Sequence, residues 1–163
     1  MSTTATKPGV TVFGTPNDRE VEFTRVLDAP RRLVFEAWTQ PEHLQQWMLG
    51  PEGWTMPECR IDLRPGGSWR YVWRKADGTE MAMGGTVREV KPPELLVTTE
   101  RWGPEWPETI NTLRLTESGG RTTATLTVTY PSKEARDAAL KTGMKEGMDP
   151  SFARLEELLR KLK

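Results

Sequence analysis

The chain has 163 residues, which suits one domain, and its 23 Lys plus Arg against 23 Asp plus Glu leave a formal net charge of zero. The basic excess of a general nucleic-acid or membrane-surface binder is missing, and a domain of this length buries about two-thirds of its unfolded surface without staples. The single cysteine, Cys59, excludes an internal disulfide, no run of about 18 apolar residues is long enough to span a membrane, and the first residues lack the apolar stretch of a signal peptide, so the expected location is the cytoplasm.

Residues 1–16 are polar and carry Pro8, Gly9, Gly14 and Pro16; they read as a mostly disordered lead with room for one edge strand at 10–13. Residues 17–163 read as a single domain. The first clear strand is 20–27, where Val21 and Phe23 alternate with Glu22 and Thr24. Asp28 then caps a helix with Pro30 in its first turn, and Leu33, Val34, Ala37 and Trp38 give it an apolar face. Pro41 ends that helix and opens a second short one, 42–47, closing on Trp47. A strand at 58–63 and the turn Arg64-Pro65-Gly66-Gly67 lead to 68–74, with Trp69, Tyr71 and Trp73 at every second place.

The loop Ala76-Asp77-Gly78 returns the chain as strand 80–90, interrupted by Gly84-Gly85. A three-residue loop sets Trp73 opposite Met81, Tyr71 opposite Met83 and Trp69 opposite Gly85, which gathers the large apolar groups on one face. Glycine opposite a large ring leaves space or lets the ring lie across the neighbouring strand. Lys91-Pro92-Pro93-Glu94 is a turn, and 95–102 is the next strand. A loop with Pro104, Trp106 and Pro107 leads to the hairpin 109–116 and 122–130. There Ala124, Leu126, Val128 and Tyr130 face one way and the threonines the other. Ser132 caps a helical region in which Met144, Met148, Phe152, Leu155, Leu159 and Leu162 form one stripe; Pro150 either kinks the helix or stands in the first turn of a fresh one capped by Asp149. Strand, two short helices, six strands and a long terminal helix make an α+β fold in which the helix covers the apolar face of an antiparallel sheet.

The phrases Leu27-Asp28-Ala29-Pro30-Arg31, Ala37-Trp38-Thr39, Pro41-Glu42-His43-Leu44 with Trp47, and Ile61-Asp62-Leu63-Arg64-Pro65-Gly66-Gly67 carry a family likeness. So do Pro92-Pro93-Glu94-Leu95-Leu96-Val97, Ala135-Arg136-Asp137-Ala138-Ala139, and Gly143-Met144 with Gly147. From residue 20 to the end the chain resembles the bacterial branch named after the activator of the heat-shock chaperone ATPase, in the START-like (SRPBCC) superfamily. The resemblance implies the helix-grip fold: a curved antiparallel sheet wrapped around a long C-terminal helix, with a cavity between. It implies no shared catalytic motif. Pro150 departs from the pattern, as does Met48 where a second tryptophan often stands, and both bear on ligand preference.

No known catalytic constellation stands out. His43 is the only histidine, which excludes a multi-histidine metal site and most relay triads, and it reads as a surface or capping residue. Cys59 lies in a strand with no histidine near it in sequence and reads as a structural thiol. No glycine-rich loop opens a helix to cradle phosphate, so neither metal nor cofactor is expected. The aromatic strand is either plain core or a cavity wall; Trp and Met on both opposed surfaces favour the wall, since Met adapts to varied partners.

The expected ligand-contacting residues are Trp47, Trp69, Tyr71, Trp73, Met81, Met83, Met144, Met148 and Phe152, with Asn111 as polar anchor. Arg88, Glu100 and Arg114 are further polar candidates. Glu100 reads first as a paired surface charge and second as a buried carboxyl of raised pKa able to act as a base. The sequence therefore points to binding of an apolar or amphipathic small molecule without defined catalysis. A chaperone-linked or other protein-interaction module and an enzyme of cyclase or hydrolase type remain as alternatives, the former tied to an exposed aromatic patch around Trp102 and Trp106. Zero net charge and the Trp-Pro loop favour a homodimer over a monomer.

Overall fold

Alternation in the strands and three-to-four spacing in the last helix require one apolar face of a sheet to meet one apolar stripe, and a computed structural model, describing residues 9–163, shows how they meet. The strands are β1 (Thr11–Gly14), β2 (Glu20–Leu27), β3 (Trp54–Ile61), β4 (Ser68–Lys75), β5 (Glu80–Lys91), β6 (Leu95–Glu100), β7 (Thr109–Ser118) and β8 (Arg121–Thr129). They form one eight-stranded sheet in the order β1-β2-β8-β7-β6-β5-β4-β3, and every neighbouring pair is antiparallel. The helices are α1 (Arg31–Thr39), α2 (Pro41–Trp47), α3 (Lys133–Leu140) and α4 (Met144–Leu162). The sheet curves around α4, with α1 and α2 closing one end, which is the helix-grip arrangement.

The expected register of the aromatic hairpin is observed: Trp73 pairs with Met81, Tyr71 with Met83 and Trp69 with Gly85. The first half of β5 pairs with β4 and its second half with β6, so β5 turns the corner of the sheet. Glycine is obligatory there: a Cβ on Gly85 would lie 2.0 Å from the Thr99 carbonyl oxygen, and one on Gly84 2.8 Å from that of Trp69.

One expectation needs correcting, and two open points are decided. The edge strand that the lead had room for is formed: β1 pairs with β2 from Thr11↔Arg25 to Gly14↔Glu22; residues 1–8 lie outside the described residues. Asp28 does not cap α1. Pro30 stands at the N-cap, the Arg31 amide donates to Glu117 Oε1 at 2.8 Å, and Asp28 instead faces Arg121 and Lys163 at 3.6 and 3.7 Å. A carboxylate from the distant β7–β8 hairpin thus takes the role that local sequence offered to Asp28. Finally, α4 runs through Pro150 with no new start at Asp149. The missing N–H costs one helical hydrogen bond, and tertiary bonds hold the same turn: Ser151 Oγ accepts from the Gly50 amide, and Arg154 donates to the Gly50 carbonyl, both at 2.8 Å. Ser132 caps α3 as expected, its Oγ accepting from the Ala135 amide at 3.1 Å.

The core lies where α1, α2 and α4 meet β2. Trp38, Trp47 and Phe152 pack face and edge with centroids 4.9 to 6.5 Å apart, and Trp47 Nε1 donates to the Ala37 carbonyl at 2.8 Å. Beside them the buried Arg25 guanidinium pairs with Glu156 at 2.7 Å, joining β2 to α4.

Candidate ligand-binding site

On the other side of Trp38 the sheet and the helices do not close completely. A cavity of about 60 Å³ opens between Trp38 of α1 and the inner faces of β3 to β8. Its walls are Ile61, Leu63, Trp69, Tyr71, Val87, Leu96, Thr98, Asn111, Leu113 and Leu126. At roughly 10–15 Å³ for each water-sized sphere, the space holds only a few such spheres. Leu63 lines the cavity and is also exposed, which places the mouth beside the β3–β4 turn.

Strand parity decides what points inward. In β6 the residues Leu96, Thr98 and Glu100 share the inner face; in β7 Asn111, Leu113 and Leu115 do so, with Thr98 paired to Asn111 and Leu96 to Leu113. Trp69 is held across the sheet: its Nε1 donates to the Thr99 carbonyl at 2.9 Å, a reach over β5 that the missing side chain of Gly85 permits. Tyr71 stands between Trp69 and Trp73, with ring centroids at 4.7 and 5.8 Å.

The polar groups of this face form one small cluster. Asn111 Nδ2 donates to Glu100 Oε2 at 2.9 Å, while Asn111 Oδ1 is buried and accepts no hydrogen bond among the described residues. Glu100 is only 8% exposed, and burial pushes its carboxyl up to about 7, against the opposing pull of hydrogen bonds from Asn111 and Thr109. Burial also raises both nearby phenols. Tyr130 goes up to about 12, with the Glu100 charge adding to the effect, and Tyr71 rises well above the ordinary range, with Cys59 and Glu100 adding. The first expectation for Glu100, a paired surface charge, is therefore corrected to the second, a buried carboxyl. Arg88 and Arg114 lie on the outer face and are exposed.

Of the residues expected to contact a ligand, the structure brings Trp69, Tyr71 and Asn111 together on the cavity wall. Trp47 and Phe152 lie in the closed aromatic core, and Met83 is buried. Met144 and Met148 are half-buried against that core, with the Tyr130 hydroxyl 3.7 Å from Met144 Sδ. Trp73 donates to the Met48 carbonyl at 2.8 Å and stacks on Trp102 at 5.6 Å. Met81 is 41% exposed and does not line this cavity; its place in β5 is beside the hairpin tip. Sequence reasoning missed Trp38, Ile61, Leu63, Val87, Leu96, Thr98, Leu113 and Leu126. The signal was there: once Asn111 faces inward, alternation adds Leu113, and the neighbouring strands follow from register.

The other reactive side chains sit apart from this site. Burial and the Glu42 carboxylate push the Cys59 thiol up to about 12, which suits a structural group rather than a nucleophile. His43 is half-buried on α2. Among the described residues no three His, Cys, Asp or Glu side chains come together as a metal cluster.

Residues 28–160 match the family model described as activator of Hsp90 ATPase homolog 1-like protein. The chain belongs to this family. Among solved structures of similar proteins, one from Rhodobacter sphaeroides shares 30% identity with this AHSA1-like chain, covers 94% of it over 100% of its own length, and superposes with a TM-score of 0.88. One from Nitrosomonas europaea shares 27% identity, over 90% of this chain and 97% of that one, with a TM-score of 0.80. An AHSA1-like protein from Aeromonas hydrophila, at 18% identity over 84% of this chain and 93% of that one, with a TM-score of 0.69, shows the common fold alone. No curated protein matches the chain. Among the described residues, no helix of this AHSA1-like protein is long and apolar enough to cross a membrane.

Proposed function

We propose that this AHSA1-like protein binds an apolar or amphipathic small molecule in the cavity between β3–β8 and α1, with no defined catalysis. The carrying observation is the combination of apolar walls with the Asn111 amide, whose buried Oδ1 has no donor among the described residues. Pockets for small molecules are built this way, with apolar surface for affinity and a few polar groups for orientation. The size of the cavity favours a ligand whose head is small and whose remainder extends past Leu63. A cytoplasmic site of action goes with this reading. The test is native mass spectrometry of the protein purified from its own host. A small molecule should ride with the wild type and be lost from Leu126→Trp, which fills the space; retention by that variant would place binding elsewhere.

A second reading, a protein-interaction module, is favoured by Trp102 and Trp106, exposed at 42% and 38%, with exposed Met81 opposite Trp73, the ring on which Trp102 stacks. A homodimer through this surface is the simplest form of it. Light scattering at micromolar concentration should then give twice the 18.5 kDa chain mass, and Trp102→Ser should return it to one chain. A wild type already at one chain mass contradicts the dimer.

A further inference from the structure

We propose that Asn111 makes the cavity selective for molecules that donate a hydrogen bond, such as alcohols, over molecules of the same shape that only accept one, such as ketones. This rests on the binding reading above and adds the chemical class of the ligand head.

The argument begins with Glu100. An ionised carboxylate accepts hydrogen bonds and donates none, so the Asn111 amide is obliged to turn its NH₂ toward Glu100 Oε2, 2.9 Å away. That choice fixes the other end of the amide: Oδ1, an acceptor, is the buried atom left without a protein partner on a wall otherwise dominated by Trp38, Tyr71, Leu113 and Leu126. A ligand hydroxyl satisfies Oδ1. A carbonyl in the same place sets two acceptors against each other and leaves both unpaired, which costs far more than a merely missing contact. Thr98, opposite Asn111 on β6, has a hydroxyl that both donates and accepts, so it does not discriminate.

Glu100 is therefore a positioning residue, and its protonation state sets the polarity of the wall. Protonated, it can donate to Oδ1 once the amide turns over, and the NH₂ then faces the cavity. The titratable groups coupled to it are Tyr71 from β4 and Tyr130 following β8, both of which its charge pushes further up; burial holds both phenols neutral through the range in which Glu100 titrates. The preference for donors should accordingly weaken as the pH falls through about 7.

Cyclohexanol and cyclohexanone are near-isosteric probes, and their dissociation constants follow from ¹⁵N-resolved titrations of the full chain. At pH 8 cyclohexanol should bind on the order of ten-fold more tightly than cyclohexanone, and at pH 6 the ratio should approach one. Asn111→Leu, of similar volume, should bind both probes with a ratio near one at either pH. Glu100→Gln, which keeps the shape and frees the amide to turn, should lose the pH dependence while Trp69 and Tyr71 keep their chemical shifts. Equal binding of the two probes by the wild type at pH 8 would overturn the selectivity and leave the binding reading intact. Binding of neither probe would remove the cavity as a binding site and this inference with it.

Discussion

The two sides of Trp38 use the same kinds of residue to opposite ends. Toward α2 and α4, Trp38 meets Trp47 and Phe152 in a closely packed cluster whose buried indole donor is satisfied by a backbone carbonyl. Toward the sheet it meets Trp69, Tyr71 and Leu126 across a gap, beside a buried carboxyl and an amide with an unsatisfied acceptor. Aromatic content alone does not distinguish core from site. What distinguishes them is whether helix side chains reach the sheet, and whether an unsatisfied polar atom has space beside it. Arg25 Nε on the closed side is also buried without a partner among the described residues, but it lines no part of this cavity, whereas Asn111 stands on the cavity wall, where a partner molecule is to be sought.

The largest test of this contrast removes a ring from the closed side. Phe152→Ala should destabilise the protein by about 3–5 kcal/mol, whereas Leu96→Ala on the half-exposed cavity wall should cost about 2 kcal/mol, the low end for such deletions, because fewer atoms lose contacts there. Denaturant unfolding with unchanged slopes measures both. Equal losses would mean that the sheet side is as tightly packed as the helix side.

A smaller effect sharpens the contrast through pH. The Glu100 carboxyl is raised from the ordinary 4.5 to about 7 in the fold, so between those values the folded chain holds a proton that the unfolded chain has released. Stability therefore falls as pH rises through this window and levels off above it, by up to about 3 kcal/mol in all. Glu100→Gln should flatten that dependence and be the more stable protein at pH 8 by about 1–3 kcal/mol. A wild-type profile already flat between pH 5 and 7.5 would mean that Glu100 is better solvated than its burial indicates.

Much of the fold was legible in the sequence because alternation and loop length act locally. The Trp73–Met81 register followed from counting a three-residue loop, and the Ser132 cap from its position before a helical run. The α1 start was not legible, since Glu117 reaches it from a hairpin distant in sequence. The site was legible only in part for the same reason. Trp69, Tyr71 and Asn111 declared themselves by residue type and parity, but whether Trp47 and Phe152 bound the cavity or filled the core depends on how α4 seats against α1 and α2, which no strand pattern encodes. Met81 shows the limit of register: the correct partner across the hairpin does not ensure burial when the hairpin ends in solvent.

The central claim, that the sheet side of Trp38 and not its helix side receives a small molecule, is tested most directly by methyl-resolved NMR during titration with cyclohexanol. The methyl groups of Ile61, Leu96, Leu113 and Leu126 should shift together and saturate together, while those of Leu44, Leu155 and Leu159 in the closed core stay in place. Shifts confined to the second group, or saturable shifts in neither, would contradict it.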